Sequence, residues 1–320
     1  DIYLISDRYL GNSFISSIIG ERKKRYTVVE QTTKPIYDST KRKHPAVEEL
    51  LALFQYKDLI MQLARRNIIT RYKRSVLGIA WTMLNPLGIM IVMSVVFSRV
   101  FNRTEAYPIY LLSALLGWQF FNQTTTGCMN SMLWGSGLFQ RSYIPKAGFV
   151  VSTVISGIIN LLFSLVPLFL IMVVLHVPFK ISLVALPLAI LILAGFTLGI
   201  GLLLSSYVVV FPDLKEMYPI LLTAWMYMTP IMFPEDIYYD ILGGWILKLN
   251  PLYHILRLSR MVIYEGIFPT TDQWLIGAGI SLVMILIGWL VFTNQADKYG
   301  YRVSNDSNDK QTGLRNSINR

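Results

Sequence analysis

Six apolar runs dominate the chain: residues 76–98, 109–133, 148–175, 181–207, 216–233 and 273–293. Each is close to or longer than the roughly 20 residues that a helix needs to cross a hydrocarbon core about 30 Å thick. Ahead of them, residues 46–74 follow a different period. Leu53, Tyr56, Ile60, Leu63 and Ala64 recur at helical spacing, while Lys57, Asp58, Gln62, Arg65 and Arg66 fall on the other side. That pattern predicts an amphipathic helix. Lys73 and Arg74 at its junction with the first run place it along the cytoplasmic membrane surface, with packing on a soluble face as the alternative. Between the fifth and sixth runs, Ile246, Leu249, Leu252, Ile255, Leu256 and Met261 alternate with Lys248, His254, Arg257 and Arg260 around an Asn250-Pro251 break. Two short helices in or on the outer leaflet fit this better than a further span, because a central Arg or Lys costs about 3 kcal/mol on insertion scales.

The pattern therefore predicts an all-α integral membrane protein, with six transmembrane helices, an N-terminal amphipathic interface helix and short extracytoplasmic re-entrant helices. Residues 1–45 read as a polar arm, 46–74 as the amphipathic helix, 75–300 as the transmembrane domain with its re-entrant segment at 235–268, and 301–320 as a disordered polar tail. Composition agrees: 53% of the 320 residues are hydrophobic and only 15% are charged. The net charge of +10 sits mainly in loops. Arg65 to Arg74, Arg141 and Lys146, Lys215, and Lys298 with Arg302 all fall on one side of the expected membrane, which makes that side cytoplasmic and puts both termini there. A basic balance distributed in this way calls for membrane lipid and no nucleic acid. Asp7 and Arg8 interrupt the first apolar stretch, so no cleaved signal peptide is expected.

The candidate chemistry is uncharged. The span interiors contain no Asp, Glu, Lys, Arg or His, with Glu216 standing at the edge of the fifth. Ion-coupled carriers keep such groups at mid-membrane, and membrane hydrolases need a base and a nucleophile converging in one place. No catalytic residue and no metal site is expected: Cys128 is alone, and His44, His176 and His254 fall in separate regions. There is no G-x-x-x-x-G-K-[ST] loop to cradle a nucleotide, so energy must come from a separate subunit.

Polarity without charge is concentrated in the second span, WQFFNQTTTGCMNSMLW. Gln119, Gln123, Thr126 and Asn130 share one helical face there, flanked by Trp118 and Asn122. Trp81 and Asn85 on the first span, and Thr223 and Tyr227 on the fifth, are each one turn apart and have the same aromatic-plus-polar character. Aromatic faces stack on sugar rings and amides bond their hydroxyls, so these ten residues are candidates for a translocation pathway. Interhelical hydrogen bonding, worth about 0.6 kcal/mol each, is the plainer alternative for the polar residues; an interfacial aromatic belt is the plainer one for Trp81 and Trp225. Gly195 and Gly199 form a small-xxx-small pair suited to close helix approach.

Four stretches carry a family resemblance: RYKRSVLGIAWTMLNP (Arg71 to Pro86), YPIYLLSALLGWQFF (Tyr107 to Phe121), DLKEMYPILLTAWMYMTPIMFP (Asp213 to Pro234) and LNPLYHILRLSRMVIYEG (Leu249 to Gly266). Together they resemble the permease subunit of type 2 ATP-binding-cassette exporters, in the polysaccharide and polyol-phosphate export branch. The resemblance implies a homodimer in the cytoplasmic membrane of a bacterium or archaeon, bound to two copies of a nucleotide-binding ATPase subunit. The cargo it implies is a lipid-linked glycan of the O-antigen, capsule or teichoic acid type. This chain would then hold no cofactor, with ATP and magnesium on the partner. Arg65, Arg66, Arg141 and Lys146 would contact the motor, ordinary positive-inside topology being their alternative, and Arg257 and Arg260 would meet lipid phosphate. A drug or lipid efflux permease, or a membrane glycosyltransferase or acyltransferase, are the rival readings; Glu235, Asp236 and Asp240 form the one acidic cluster available to an enzyme.

Overall fold

A computed structural model describes residues 45–73, 76–78, 80–97, 106–139, 145–242 and 244–318. The expected polar arm before Pro45 and the cations Arg74 and Arg141 lie outside them. The amphipathic segment forms two helices rather than one, α1 (Pro45–Gln55) and α2 (Lys57–Tyr72). They meet at a bend at Tyr56, across which the Tyr56 N–H still bonds Ala52 O at 2.9 Å and the Ile60 N–H bonds Tyr56 O at 3.0 Å. The apolar period runs through the bend. Ile60, Leu63 and Ala64 are buried and Leu53 and Tyr56 half-buried, whereas Lys57, Asp58, Gln62, Arg65 and Arg66 are exposed.

The buried face rests on the start of α5 (Lys146–Val174). Gly148 makes room there, since a Cβ at that position would stand 3.3 Å from Ile60 Cγ1. Glu49 Oε1 accepts the Ala147 N–H at 2.8 Å, satisfying one of the donors that a helix N-terminus leaves open. Burial pushes the Glu49 carboxyl above its ordinary value, and the Ala147 N–H and the Lys146 charge pull it part of the way back.

Helix α4 (Tyr107–Phe139) runs through the middle of the bundle, between α5 and α6 (Leu186–Val208), with α3 (Ala80–Phe97) along its flank. Its side chains Ile109, Leu111, Leu112, Phe121 and Met129 are fully buried, as expected of a helix covered nearly all round. Exposed apolar rows line the outer helices instead, Leu162, Val166, Leu170 and Val173 on α5 and Leu275, Leu282, Leu286 and Leu290 on α11 (Thr271–Ile318). Such continuous apolar faces belong in hydrocarbon, not water. By length and composition Lys146–Val174, Ile181–Val208 and Thr271–Gln295 are apolar enough to cross a membrane, and Ala80–Val96 is a shorter apolar helix. Helix α4 is about 50 Å long at 1.5 Å per residue, and its Gln, Asn and Thr residues dilute its apolarity.

Two expectations change. The fifth run forms a helix only over α7 (Leu214–Tyr227), about 21 Å long and shorter than the hydrocarbon core. Pro230 lacks an N–H and biases Thr229 away from helix, so the chain leaves α7 at Met228. At the other end, the stretch from 301, expected to be a disordered tail, continues α11 as helix to Ile318. No proline interrupts it, and extending an existing helix avoids the nucleation cost.

The segment after α7 folds as α8 (Glu235–Leu242), α9 (Gly244–Leu249) and α10 (Pro251–Arg260), the last continuing as a π-helical turn over Met261–Glu265. Gly266 ends that turn at φ +68°, a conformation that suits glycine, and Lys180 Nζ donates to Glu265 O at 2.9 Å beside it. Helices α6 and α11 approach most closely where a Cβ on Gly288 would stand 2.2 Å from Gly199 O. Gly195 faces α11 as well, with Ser281 Oγ 2.4 Å from its would-be Cβ. The small-residue pair is therefore a seam within the chain.

Candidate functional site

Helices α3, α4 and α5 enclose a groove of about 390 Å³. Trp81, Thr82 and Asn85 enter it from α3, and Gln119, Gln123 and Thr124 from α4. Thr153, Ser156, Asn160 and Ser164 enter from α5, with Arg71 from the last turn of α2 as its charged member. The wall is held from both sides. Ser164 Oγ donates to Thr82 O at 3.0 Å, tying α5 to α3, and Gly157 lets α5 close on α4, where a Cβ would sit 2.3 Å from Thr124 Oγ1. Arg71 Nη1 donates to Gln123 Oε1 at 3.3 Å.

The structure thus brings together Trp81, Asn85, Gln119 and Gln123 of the ten expected pathway residues. Thr126 and Asn130 continue the same face of α4, about 5 Å and 10 Å beyond Gln123 along the axis, outside the groove lining. Asn122 is half-buried and also outside it. Trp118 belongs to the core: it is 3% exposed, with its ring 6.0 Å from Phe121, which in turn stacks on Phe196 at 5.7 Å and meets Trp225 edge-on at 5.4 Å. A ring sealed in that way has no face to offer a sugar. Thr223 and Tyr227 lie on the exposed face of α7, and the Thr223 hydroxyl bonds Pro219 O within its own helix.

Sequence reasoning missed the α5 wall. Its signal was present, since Thr153, Ser156, Asn160 and Ser164 recur at intervals of three and four in an otherwise apolar helix. Single Ser and Thr residues commonly bond back to their own helix, as Ser156 does to Thr153 O at 2.8 Å, so the stripe resembled ordinary structural polarity.

The outer arginines are spoken for. Arg257 Nη1 lies 2.7 Å from Glu235 Oε2 and also bonds the Tyr253 hydroxyl, which itself donates to Glu235 Oε2 at 2.9 Å. Arg260 is buried, donating to Pro230 O at 2.6 Å with Glu235 Oε1 at 3.7 Å, and its guanidinium carbon is 4.0 Å from the centre of the Tyr110 ring. Arg260 therefore has no surface to offer a lipid phosphate. It staples the turn after α7 to α10, and the Glu235 carboxylate lies against both arginines. Of the expected motor contacts, Arg65 and Arg66 are exposed on α2, Lys146 begins α5, and Arg141 lies outside the described residues.

Among the described residues no three His, Cys, Asp or Glu side chains gather to hold a metal. A helical bundle whose outer helices carry exposed apolar rows, with a partly polar groove within it, defines a multi-pass membrane protein. Comparison with known proteins narrows the class. The profile of the ABC-2 type transporter family matches residues 58–264, and the chain belongs to that family. It is 27% identical over 250 residues, 77% of its length, to the O-antigen export system permease protein RfbA of Myxococcus xanthus, covering 96% of that protein. A protein of the same name from Klebsiella pneumoniae is 24% identical over 211 residues, 65% of this chain and 81% of the relative. The polysialic acid transport protein KpsM of Escherichia coli is 24% identical over 245 residues, 75% and 95% of the two chains. These relatives are transport permeases, and this chain is a permease rather than an enzyme.

Proposed function

We propose that this chain is the membrane subunit of an ATP-driven exporter that moves a lipid-linked polysaccharide across the cytoplasmic membrane. The observation that carries the reading is the α3–α4–α5 groove, where uncharged amides and hydroxyls from three helices and the Trp81 indole converge beside Leu116, Phe120 and Leu161. A hydroxyl-rich chain that must slide is best held by many weak bonds and no strong one. A drug or lipid efflux permease would gain nothing from this many amides and hydroxyls. The names of the relatives, O-antigen and polysialic acid exporters, support a glycan cargo.

In this reading the protein works as a homodimer in a bacterial or archaeal inner membrane, with six spans per subunit and both termini cytoplasmic. Helix α7, too short to cross alone, completes its crossing with the turn after it, and α8 to α10 form the outer re-entrant cap. Two copies of a nucleotide-binding subunit bind ATP and magnesium and dock on Arg65, Arg66 and the region before Lys146. The exposed face of α7, with Thr223 and Tyr227, lines the passage between subunits. The test is ATP hydrolysis by the chain co-purified with its candidate nucleotide-binding partner in lipid nanodiscs, with and without lipid-linked glycan. Partner-dependent hydrolysis that responds to the glycan is expected; hydrolysis by this chain alone, or no complex, would overturn the reading.

A further inference from the structure

The cations of this protein differ in what surrounds them. Arg260 is buried, and Arg257 is bonded to Glu235 and to the Tyr253 hydroxyl, so the outer arginines are engaged within the fold. Arg71 is placed differently. It is exposed, it lines the groove, and no carboxylate stands among the described lining residues; the acceptor it meets is the neutral amide oxygen of Gln123 at 3.3 Å, at the long end of the hydrogen-bond range. A guanidinium offers five N–H donors in a planar fork that matches two phosphate oxygens, and charge-assisted bonds of that kind are shorter and about twice as strong as a bond to an amide. An anion would therefore displace Gln123 from Arg71, and the freed amide would turn to the ligand's hydroxyls. Elsewhere in the groove lining, Asn85, Gln119 and Asn160 provide both donors and acceptors, and the indole of Trp81 is half exposed among them.

The groove is thus polarised, with one positive end and a neutral, hydroxyl-seeking body. Its volume of about 390 Å³ lies within the range of small-ligand sites, roughly 300–1,000 Å³. We propose that this groove within one subunit is a binding site for a phosphorylated saccharide head group, with Arg71 gripping the phosphate and Gln119, Gln123, Asn85 and Asn160 holding the adjoining ring. The proposal rests on the glycan-export reading and deepens it by assigning the anionic end of the cargo to Arg71 instead of the outer arginines. The same chemistry is found in two sources, a phosphate-linked glycan and an anionic phospholipid head group.

The experiment measures binding of radiolabelled polyprenyl-phosphate glucose, and of uncharged glucosyl diacylglycerol, to the full chain in phosphatidylcholine nanodiscs. Arg71→Gln is expected to weaken the phosphate-bearing ligand about 10- to 100-fold while changing the uncharged one less than about twofold. Asn160→Leu is expected to weaken both. Arg71 is exposed, so its variant keeps the wild-type thermal midpoint, which is checked alongside. Equal weakening of both ligands by Arg71→Gln, or no effect on either, would overturn the anion assignment and leave the export reading standing. Failure of both ligands to bind the wild-type chain would count against the export reading itself. Excess phosphatidylglycerol is expected to compete weakly; competition equal to that of unlabelled polyprenyl-phosphate glucose, unaffected by Asn160→Leu, would make this a site for bilayer lipid and overturn the saccharide half of the proposal.

Discussion

Replacing Asn250 with alanine removes several bonds at once. Its Oδ1 accepts the N–H groups of Leu252 and Tyr253 at 3.1 and 3.4 Å, capping α10, and also accepts the Trp225 indole N–H at 3.0 Å. Its Nδ2 donates to Thr229 Oγ1 at 2.9 Å. Loss of a cap costs about 1 kcal/mol and a buried N–H left unpaired about 1–3, so Asn250→Ala is expected to destabilise by about 2–3 kcal/mol and Asn250→Ser, which restores the cap alone, by about half as much. Thermal unfolding in nanodiscs measures this, and an unchanged midpoint for the alanine variant would contradict the assignment. The cap itself is legible in sequence, since Asn followed by Pro is a helix-start signal. Its pairing with Trp225 is not, because nothing local links residues 25 apart. The Glu235 cluster was legible only as three nearby acids. Glu235→Gln leaves buried Arg260 without a counter-charge and is expected to cost about 3 kcal/mol. Asp236→Asn, at an exposed site, should stay within about 0.5 kcal/mol and leave export intact.

Among the helices, the tightest seam is the crossing of α6 and α11. A methyl group on Gly199 would stand 2.4 Å from the Met284 carbonyl carbon, backbone that cannot yield, whereas one on Gly279 of α11 meets nothing within 4 Å. Gly199→Ala is expected to lower stability by about 2 kcal/mol and Gly279→Ala to be neutral or slightly stabilising; equal midpoints for the two variants would refute this account of the crossing. The small-xxx-small spacing was readable in the sequence, but Gly288, its partner across the seam, lies 89 residues on and belongs to no motif of its own. Helix periods were legible for the same reason that α1 and α2 fold as they do: burial repeats with the turn. The end of α7 was misjudged because apolar residues continue past the point where Pro230 stops the helix.

The docking of α1 and α2 on α5 gives a pH test. Burial raises the Glu49 carboxyl, so the folded chain holds that proton more readily than the unfolded chain does. Ionisation of Glu49 therefore weakens the fold as pH rises from its ordinary 4.5 through the raised folded value; the penalty is absent below that window and constant above it. Glu49→Gln keeps an oxygen for the Ala147 N–H and cannot ionise. Its unfolding midpoint at about pH 7.5 is expected to equal or exceed that of the parent, with a shallower decline between the ordinary and the raised carboxyl value and parallel behaviour above it. A lower midpoint with a steeper decline would show that the charge, and not the oxygen, holds the seam.

For the whole molecule, the all-helical membrane class was plain in the sequence, because the bilayer imposes length and apolarity on each helix separately. The groove was half legible. Gln119 and Gln123 stood out on α4, while Ser and Thr on α5 were hidden by their ordinary habit of bonding their own backbone, and only packing brings the stripes together. Trp118 was misplaced because an indole reads alike whether it stacks on a sugar or on Phe121. The central claim is that the groove carries a glycan while a partner hydrolyses ATP. It is tested most directly by ATP-dependent movement of a radiolabelled lipid-linked glycan into inside-out vesicles that contain the chain and its candidate nucleotide-binding partner, comparing the parent with Asn160→Phe, which fills the groove. The account predicts ATP-dependent uptake by the parent and at least about a tenfold loss in the filled variant, with assembly and basal hydrolysis retained; no uptake by the parent, or uptake at full rate through the filled groove, would contradict it.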